Sequence, residues 1–301
     1  MMVAYALWVV ALLALMVSQL SGDLHRAVVE ERRALDHAAL RAAAISGLEA
    51  YRFAMIEYAN REYSYRQEPI RSEPALCAYR TASGVRTACF DTLPRRQTVT
   101  PQLTFGASDE ESRINILRVD AETIARLPGV TESMAQDLAA YVQTSPDAVL
   151  QTPEDLRRIP GWEGIDAAEL ARLITFFGDG RVNLNTASTQ VLDILGIPRR
   201  AIRDLQEYLS GPNGTRGDED DLFFKGVSEI GPRLDEARMD EETVEFWSEI
   251  AEMGAMTLSS RHYRVRARAI DESSGRQHEV EAIVHLDDQA TILAWWEHRP
   301  S

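Results

Sequence analysis

The sequence predicts an α+β fold in which a long N-terminal helix lies on a small antiparallel sheet and a large all-α insertion interrupts the strands. Three patterns predict it. A charge-free apolar run passes without a proline into an amphipathic stretch, short alternating strand patterns stand before residue 110 and after residue 257, and an acid-rich helical block repeats itself between them. At 301 residues, 45% hydrophobic and 26% charged, the chain has enough apolar material for one large or two ordinary cores. That composition excludes a wholly disordered chain and a polytopic membrane protein.

The first element is the apolar run. No charged side chain occurs before Asp23, and Val3 to Leu20 is almost wholly Ala, Leu, Val, Trp and Met. Roughly 20 such residues at ~1.5 Å each match a hydrocarbon layer of ~30 Å, so the run, with Val3, Leu7, Trp8, Leu12 and Leu15 along it, is long enough to span a membrane. A cleaved secretory signal is the alternative. It calls for a basic segment ahead of the apolar one and a small-x-small cleavage site, whereas no Lys or Arg precedes Arg26 and Val17-Ser18-Gln19 fits poorly.

Behind the run, Leu24, Val28, Leu35, Ala38, Ala42, Ile45, Phe53 and Ile56 recur near a period of 3.6, and no proline appears until Pro69. The expectation is a continuous helix whose upper half lies on something. Abundant alanine without a strict heptad favours a sheet over a coiled coil.

Strand signals come next. Cys77 and Cys89 stand nearly symmetrically about Ala82-Ser83-Gly84, a three-residue hairpin turn. Facing cysteines suit a disulfide in an oxidising compartment; a metal or redox pair is the alternative, with no matching ligand spacing and no His nearby. At the far end, His262 to Ile270 alternates Tyr263, Val265, Ala267 and Ala269 against Arg264, Arg266 and Arg268, and Val280 to Leu286 repeats the pattern after a turn at Asp271 to Gly275. The pair reads as a hairpin with its polar face outward. A last strand, Thr291 to Trp296, closes the sheet.

Between these strands lies the acidic block. The chain has 32 Lys+Arg and 47 Asp+Glu, a net charge of −15, and residues 111–256 alone hold 14 basic and 28 acidic groups. The flanking segments are therefore close to neutral. Ser112-Arg113-Ile114-Asn115-Ile116 matches Gly180-Arg181-Val182-Asn183-Leu184 at an offset of 68, and each copy leads through a helix cap (Asp120, or Asn185/Thr186) into a helix, a Gly/Pro turn and a second helix. A third unit joins Thr152-Pro153-Glu154-Asp155 to the turn Pro160-Gly161-Trp162 and a helix capped by Asp166. Helix, Pro-Gly turn, helix is the helix-hairpin-helix pattern, which elsewhere grips DNA. Phosphate contact, however, needs basic residues beside the turn, and here Glu132 and Glu163 stand there instead. A membrane-anchored DNA receptor is thus the weaker alternative.

The densest acidic run, Asp218, Glu219, Asp220 and Asp221, follows a Gly/Pro/Asn loop. It reads either as solvated surface or as a calcium site without the EF-hand spacing. The six histidines show no metal-ligand spacing, and His262 and His285 are possible cross-strand neighbours of a surface ladder. No nucleophile elbow or phosphate loop is present, so the chain reads as an interaction protein rather than an enzyme.

The anchor YALWVVALLALMVSQLSGDLHR, the INI and GRVNLNTAS segments, and the ending RHYRVRARAID…TILAWWEHR together resemble the type II secretion system protein K family, the large minor pseudopilin. GRVNLNTAS, with Gly180, Val182, Asn183, Asn185 and Thr186, is the most specific piece. The resemblance implies a pilin-like core, helical residues inserted between sheet strands, and calcium in the inserted domain of some members. It also implies a place at the tip of the periplasmic pseudopilus, with the other minor pseudopilins as partners, secreted cargo as a further contact and no nucleic acid. The corresponding domains are a transmembrane helix at 1–22 in the bacterial inner membrane, the helix and first strands at 23–110, the acidic insertion at 111–256 and the last strands at 257–301. Pseudopilin precursors carry a short basic leader ahead of the apolar helix, and none precedes this one. Most also have a glutamate early in the helix to meet a neighbour's terminal amine, whereas this segment has no acid before Asp23, as a tip position implies.

Overall fold

The computed structural model describes residues 2–59, 79–80, 86–89, 108–145, 149–216, 220–270 and 275–298. Helix α1 (Met2–Ala59) runs 58 residues without a break. Only its last third is covered: Leu40, Ala43, Ala44, Leu48, Tyr51 and Met55, spaced three and four apart, are buried. Of the expected stripe, Ile45 and Ile56 pack against the edge of this core, whereas Leu24, Val28, Leu35 and Phe53 are exposed. The buried side includes Ala43, Ala44 and Gly47, which let the helix backbone come close to the sheet between its larger side chains.

The strands are β1 (Tyr79–Arg80), β2 (Arg86–Cys89), β3 (Ser108–Asp109), β8 (His262–Ile270), β9 (Gln277–His285) and β10 (Thr291–His298). They form one antiparallel sheet ordered β1-β2-β8-β9-β10, with β3 also pairing β8. Tyr263, Val265, Ala267 and Ala269 of β8 and Val280, Ala282 and Val284 of β9 line the face under α1. Strand β10 extends to His298, two residues beyond the expected end, with a register shift between Ile292 and Ala294. Strand β1 pairs β2 through Tyr79 and Thr87. Cys77 and the side chain of Cys89, the expected disulfide pair, lie outside the described residues.

The insertion has its own core, from Ile114 to Leu258. It comprises β4 (Ile114–Asn115), α2 (Ala121–Ala125), α3 (Glu132–Thr144), a 3-10 turn (Pro153–Arg158), α4 (Ala167–Leu170) and β5 (Ile174–Thr175). A second run follows: β6 (Val182–Asn183), α5 (Thr189–Ile194), α6 (Arg199–Leu209), a 3-10 turn (Val227–Glu229), α7 (Ile230–Glu236), α8 (Glu241–Glu252) and β7 (Met256–Thr257). β4 pairs β5 and β6 pairs β7, both in parallel, so the 68-residue repeat is two strand–helices–strand units. The pair α7–α8 had no sequence signal. Its turn uses Arg238 at φ 60° where the others have glycine.

Caps fix most of these helices. Asp120 accepts from Thr123 N, Thr131 from Met134 N, and Asp166 from Ala168 N and Glu169 N. The α5 cap is Ser188, which accepts from Val191 N, and not Asn185 or Thr186 as expected. Both of those side chains are turned inward to other partners.

Candidate assembly surface and the junction behind it

Two features of this fold bear on function: an uncovered apolar rod and a buried polar junction that fixes the insertion against the sheet. On the rod, Leu7, Trp8, Leu12 and Leu15 are each more than half exposed, as are Val10, Val17 and Leu20. Covering one such side chain is worth about 1.5–3 kcal/mol, so a helix that shows them on all sides requires lipid or partner helices around it. Among the described residues no helix is long and apolar enough to cross a membrane. The expected span from Val3 to Leu20 includes residues 3–6 and 9, whose side chains lie outside that set.

The junction begins where the chain leaves β3. Asp109, Glu110 and Glu111 follow one another, all buried, and each is satisfied differently. Asp109 Oδ2 accepts from Ser260 Oγ and Thr186 Oγ1, both at 2.6 Å, and from Asn183 Nδ2 at 3.4 Å, while Oδ1 accepts from Glu111 N at 2.8 Å. These partners are neutral. Burial therefore pushes Asp109 up to about 6, against the pull of the Ser260 and Thr186 hydrogen bonds.

Glu110 is equally buried, but two guanidiniums meet it. Burial raises its pKa, and the charges of Arg113 and Arg264 outweigh burial and hold it at about 2. Arg264 Nε donates to Glu110 Oε1 at 2.8 Å, and Thr175 Oγ1 donates to Oε2 at 2.5 Å. Glu111 turns back to the sheet, accepting from Arg261 N and His262 N on Oε2 and meeting His262 Nδ1 at 2.8 Å on Oε1. The glycine at 178, φ +90°, passes over this contact: a Cβ there would lie 3.5 Å from Glu111 Cγ and 3.7 Å from His262 Nδ1.

The arginine face of the sheet is consequently only half-open to solvent. Arg266 pairs with Glu281, Arg268 donates to Glu279 at 2.7 Å, Arg264 meets Glu281 as well as Glu110, and Arg264 lies 5.7 Å from the Trp296 ring. Phe177 of the insertion meets Trp296 edge-on at 6.5 Å. The expectation of a solvated polar face is corrected here, because the insertion covers part of it and the arginines are matched by cross-strand acids.

The GRVNLNTAS residues prove to be the insertion's side of this junction. Val182 is buried in the core. Asn183 holds its own turn, accepting from Asn185 N, and donates to Ser260 Oγ at 2.7 Å. Asn185 ties the loop to Phe224 and Leu258, donating to both carbonyls and accepting from Phe224 N. Gly180 has φ +99°, and a Cβ there would stand 2.7 Å from Arg118 Cβ. Asn115, the equivalent of Asn183 in the first repeat, makes the same turn, accepting from Leu117 N and donating to the carbonyls of Phe177 and Gly178.

Sequence reading gave Asn185 and Thr186 as a helix cap and missed Asp109, Glu110 and Glu111, most of whose partners stand 65 to 154 positions away. The one signal was a strand bearing three arginines opposite a strand bearing two glutamates. Of the acidic run, Asp218 and Glu219 lie outside the described residues, and Asp220 accepts from Asn213 N at 3.2 Å and Nδ2 at 2.7 Å. Among the described residues no three His, Cys, Asp or Glu side chains gather as a metal site.

No family model matches the chain, and no curated protein matches it by sequence. A solved structure does match. A chain of the GspK-GspI-GspJ complex from the type 2 secretion system of enterotoxigenic Escherichia coli aligns over 91% of this chain and 99% of its own, with a TM-score of 0.50 and 13% identity. The fold is GspK-like. The alignment takes in nearly all of that chain, so the GspK-like description covers the helix-on-sheet part and the insertion together.

Proposed function

We propose that this protein is a minor pseudopilin of a bacterial type II secretion system, standing at the tip of the periplasmic pseudopilus with partners like GspI and GspJ. The GspK-like fold over 91% of the chain carries this reading. The bare apolar rod supports it, since Val3 to Leu20 is suited to lie in the inner membrane before assembly and among neighbouring helices after it. In this role the chain works by contact and catalyses nothing. The insertion, fixed rigidly to the sheet by Asp109, Glu110 and Glu111, is too bulky to admit another subunit above it, so the chain caps the filament and helps to start it.

Co-expression of the full chain with GspI-like and GspJ-like minor pseudopilins tests the partnership: a complex that survives size exclusion is expected, and its absence overturns the reading. Removal of residues 111–256 tests the cap, with impaired secretion expected and normal secretion fatal to it. Calcium at Asp218, Glu219, Asp220 and Asp221 belongs to the same proposal, and a Ca²⁺-dependent rise in melting temperature that Asp220→Asn removes is its test. The DNA-receptor alternative predicts salt-dependent anisotropy with labelled duplex. The capped hairpin turns, with Glu132 and Glu163 beside them, argue against it.

A further inference from the structure

His262 meets the junction through Nδ1 only, and its Nε2 and the ring of His285 take no part in the assembly role just described, yet the two rings form the most ligand-like arrangement among the described residues. They stand directly opposite each other on β8 and β9, on the face toward the insertion. His262 Nε2 and His285 Nδ1 are 3.1 Å apart, the ring centroids 4.6 Å apart and the planes inclined at 39°. We propose that this pair is a binding site for a divalent transition ion of the zinc or copper type, with Glu111 as the carboxylate that orients it.

The geometry supplies the reasons. Two imidazole nitrogens that share one tetrahedral Zn²⁺ at ~2.0–2.1 Å lie about 3.3 Å from each other, close to the separation present before any ion enters. Rings pointing head-on at 3.1 Å between nitrogens would put their centroids more than 5 Å apart, since each centroid lies about 1.1 Å behind its nitrogen. The 4.6 Å separation therefore means that the two nitrogens meet obliquely and not along the line of a head-on ring-to-ring hydrogen bond. On the far side of His262, Nδ1 meets Glu111 Oε1 at 2.8 Å. His262 Nδ1–H donates to this carboxylate oxygen, so Nε2 carries the lone pair, the arrangement by which second-layer carboxylates fix and strengthen a histidine ligand.

Without an ion, His285 Nδ1–H donates to His262 Nε2. Binding moves the His285 proton from Nδ1 to Nε2, and both rings stay neutral. No third metal-ligating side chain joins them among the described residues, so water completes the coordination. Both histidines are half-buried and reachable from solvent. Oxygen-seeking Ca²⁺ and Mg²⁺ do not suit two imidazoles, whereas Zn²⁺ and Cu²⁺ do. The occupied site would join two strands and, through Glu111, the start of the insertion.

Full-length protein in detergent, freed of metal and titrated with Cu²⁺, tests the site by electron paramagnetic resonance. Nitrogen splitting from two imidazoles is expected in the wild type and from one or none in His285→Gln, with His298→Gln unchanged as the control. A parallel Zn²⁺ titration should raise the melting temperature of the wild type and of His298→Gln, while His285→Gln binds at least tenfold more weakly. His285→Gln must melt like the wild type in chelator, and His285→Cys, which restores a ligand at this position, should recover the Zn²⁺ effect if Gln disturbs the fold. Equal metal response in the wild type and in His285→Gln, or no splitting from a second nitrogen, overturns the proposal.

Discussion

The helix–sheet core and the insertion core differ most in the size of the side chains that fill them. Under α1 six alanines, Ala43, Ala44, Ala267, Ala269, Ala282 and Ala290, lie among Leu40, Leu48, Tyr51 and Met55 of the helix and Tyr263, Val265, Val280 and Val284 of the sheet. The insertion is filled by Trp162, Trp247 and Phe224 among many Leu and Ile. Small residues let a long rod lie close to a flat sheet, but they interlock little along the rod's axis. Large ones fix a unique arrangement of short helices that have little intrinsic stability. One core is suited to hold a rod that others grip, and the other to be a rigid body.

The comparison predicts opposite sensitivities. Truncation should hurt the insertion most. Trp247 is fully buried, and its Nε1 donates to Ala201 O at 3.1 Å, joining α8 to α6. Trp247→Ala leaves a large cavity and removes the indole hydrogen bond between the two helices, with an expected loss of about 3–5 kcal/mol in denaturant unfolding.

The junction between the cores should show itself through pH. Asp109, at about 6 in the folded chain against an ordinary 3.8, favours folding while it holds its proton. Below the ordinary value both states hold that proton and the contribution is fully present. As pH rises toward about 6 the unfolded chain has released the proton and the folded one has not, so stability falls, and above it the loss is complete. A shift of roughly two units corresponds to about 3 kcal/mol. Glu110, held at about 2, works in a separate window: its contribution is present above its ordinary 4.5 and is lost as pH falls toward 2. Unfolding midpoints across this range should therefore decline between pH 4 and 6 in the wild type relative to Asp109→Asn. Parallel profiles for the two proteins would contradict the assignment.

Overpacking should hurt the helix–sheet core. Ala282 lies opposite Val265 on the face under α1 and is fully buried. Ala282→Leu forces the rod away from the sheet, with an expected cost of about 1–3 kcal/mol by thermal unfolding. The same change at an exposed alanine of the rod, such as Ala38, should cost little.

How much of this was legible follows from the range of each interaction. The period-two pattern of β8 gave strand and buried face together, because alternation is a local property and Tyr263, Val265, Ala267 and Ala269 all obey it. The helix stripe was misjudged because an alanine-rich rod offers several faces of similar hydropathy, and only the sheet decides among them. The 68-residue repeat was readable from Ile114-Asn115 and Val182-Asn183, and the meaning of those asparagines was not, since Ser260, Phe224 and Leu258 lie 39 to 77 positions away. Hairpins with Pro-Gly turns were found; α7–α8, turning at Arg238, was not.

The smallest expected effect concerns what stops the rod from sliding. If the alanine contact interlocks weakly, ion pairs at its margin carry more of the register than surface pairs ordinarily do. Arg41 of α1 meets Glu297 of β10 through both Nε and Nη2, with Nη2 at 2.6 Å, and Arg276 reaches Asp36 at 3.1 Å. Both are exposed, so salt should screen them and their effect on global stability should be slight. Arg41→Ala should thus shift the melting temperature barely, and by less still in high salt. Its effect should instead appear as faster amide exchange in residues 36–48 than in the same segment of Ala38→Leu, which leaves both pairs in place. Unchanged exchange would mean that Leu40, Leu48, Tyr51 and Met55 hold the register unaided, and that the two cores differ in side-chain size without differing in how firmly they are fixed.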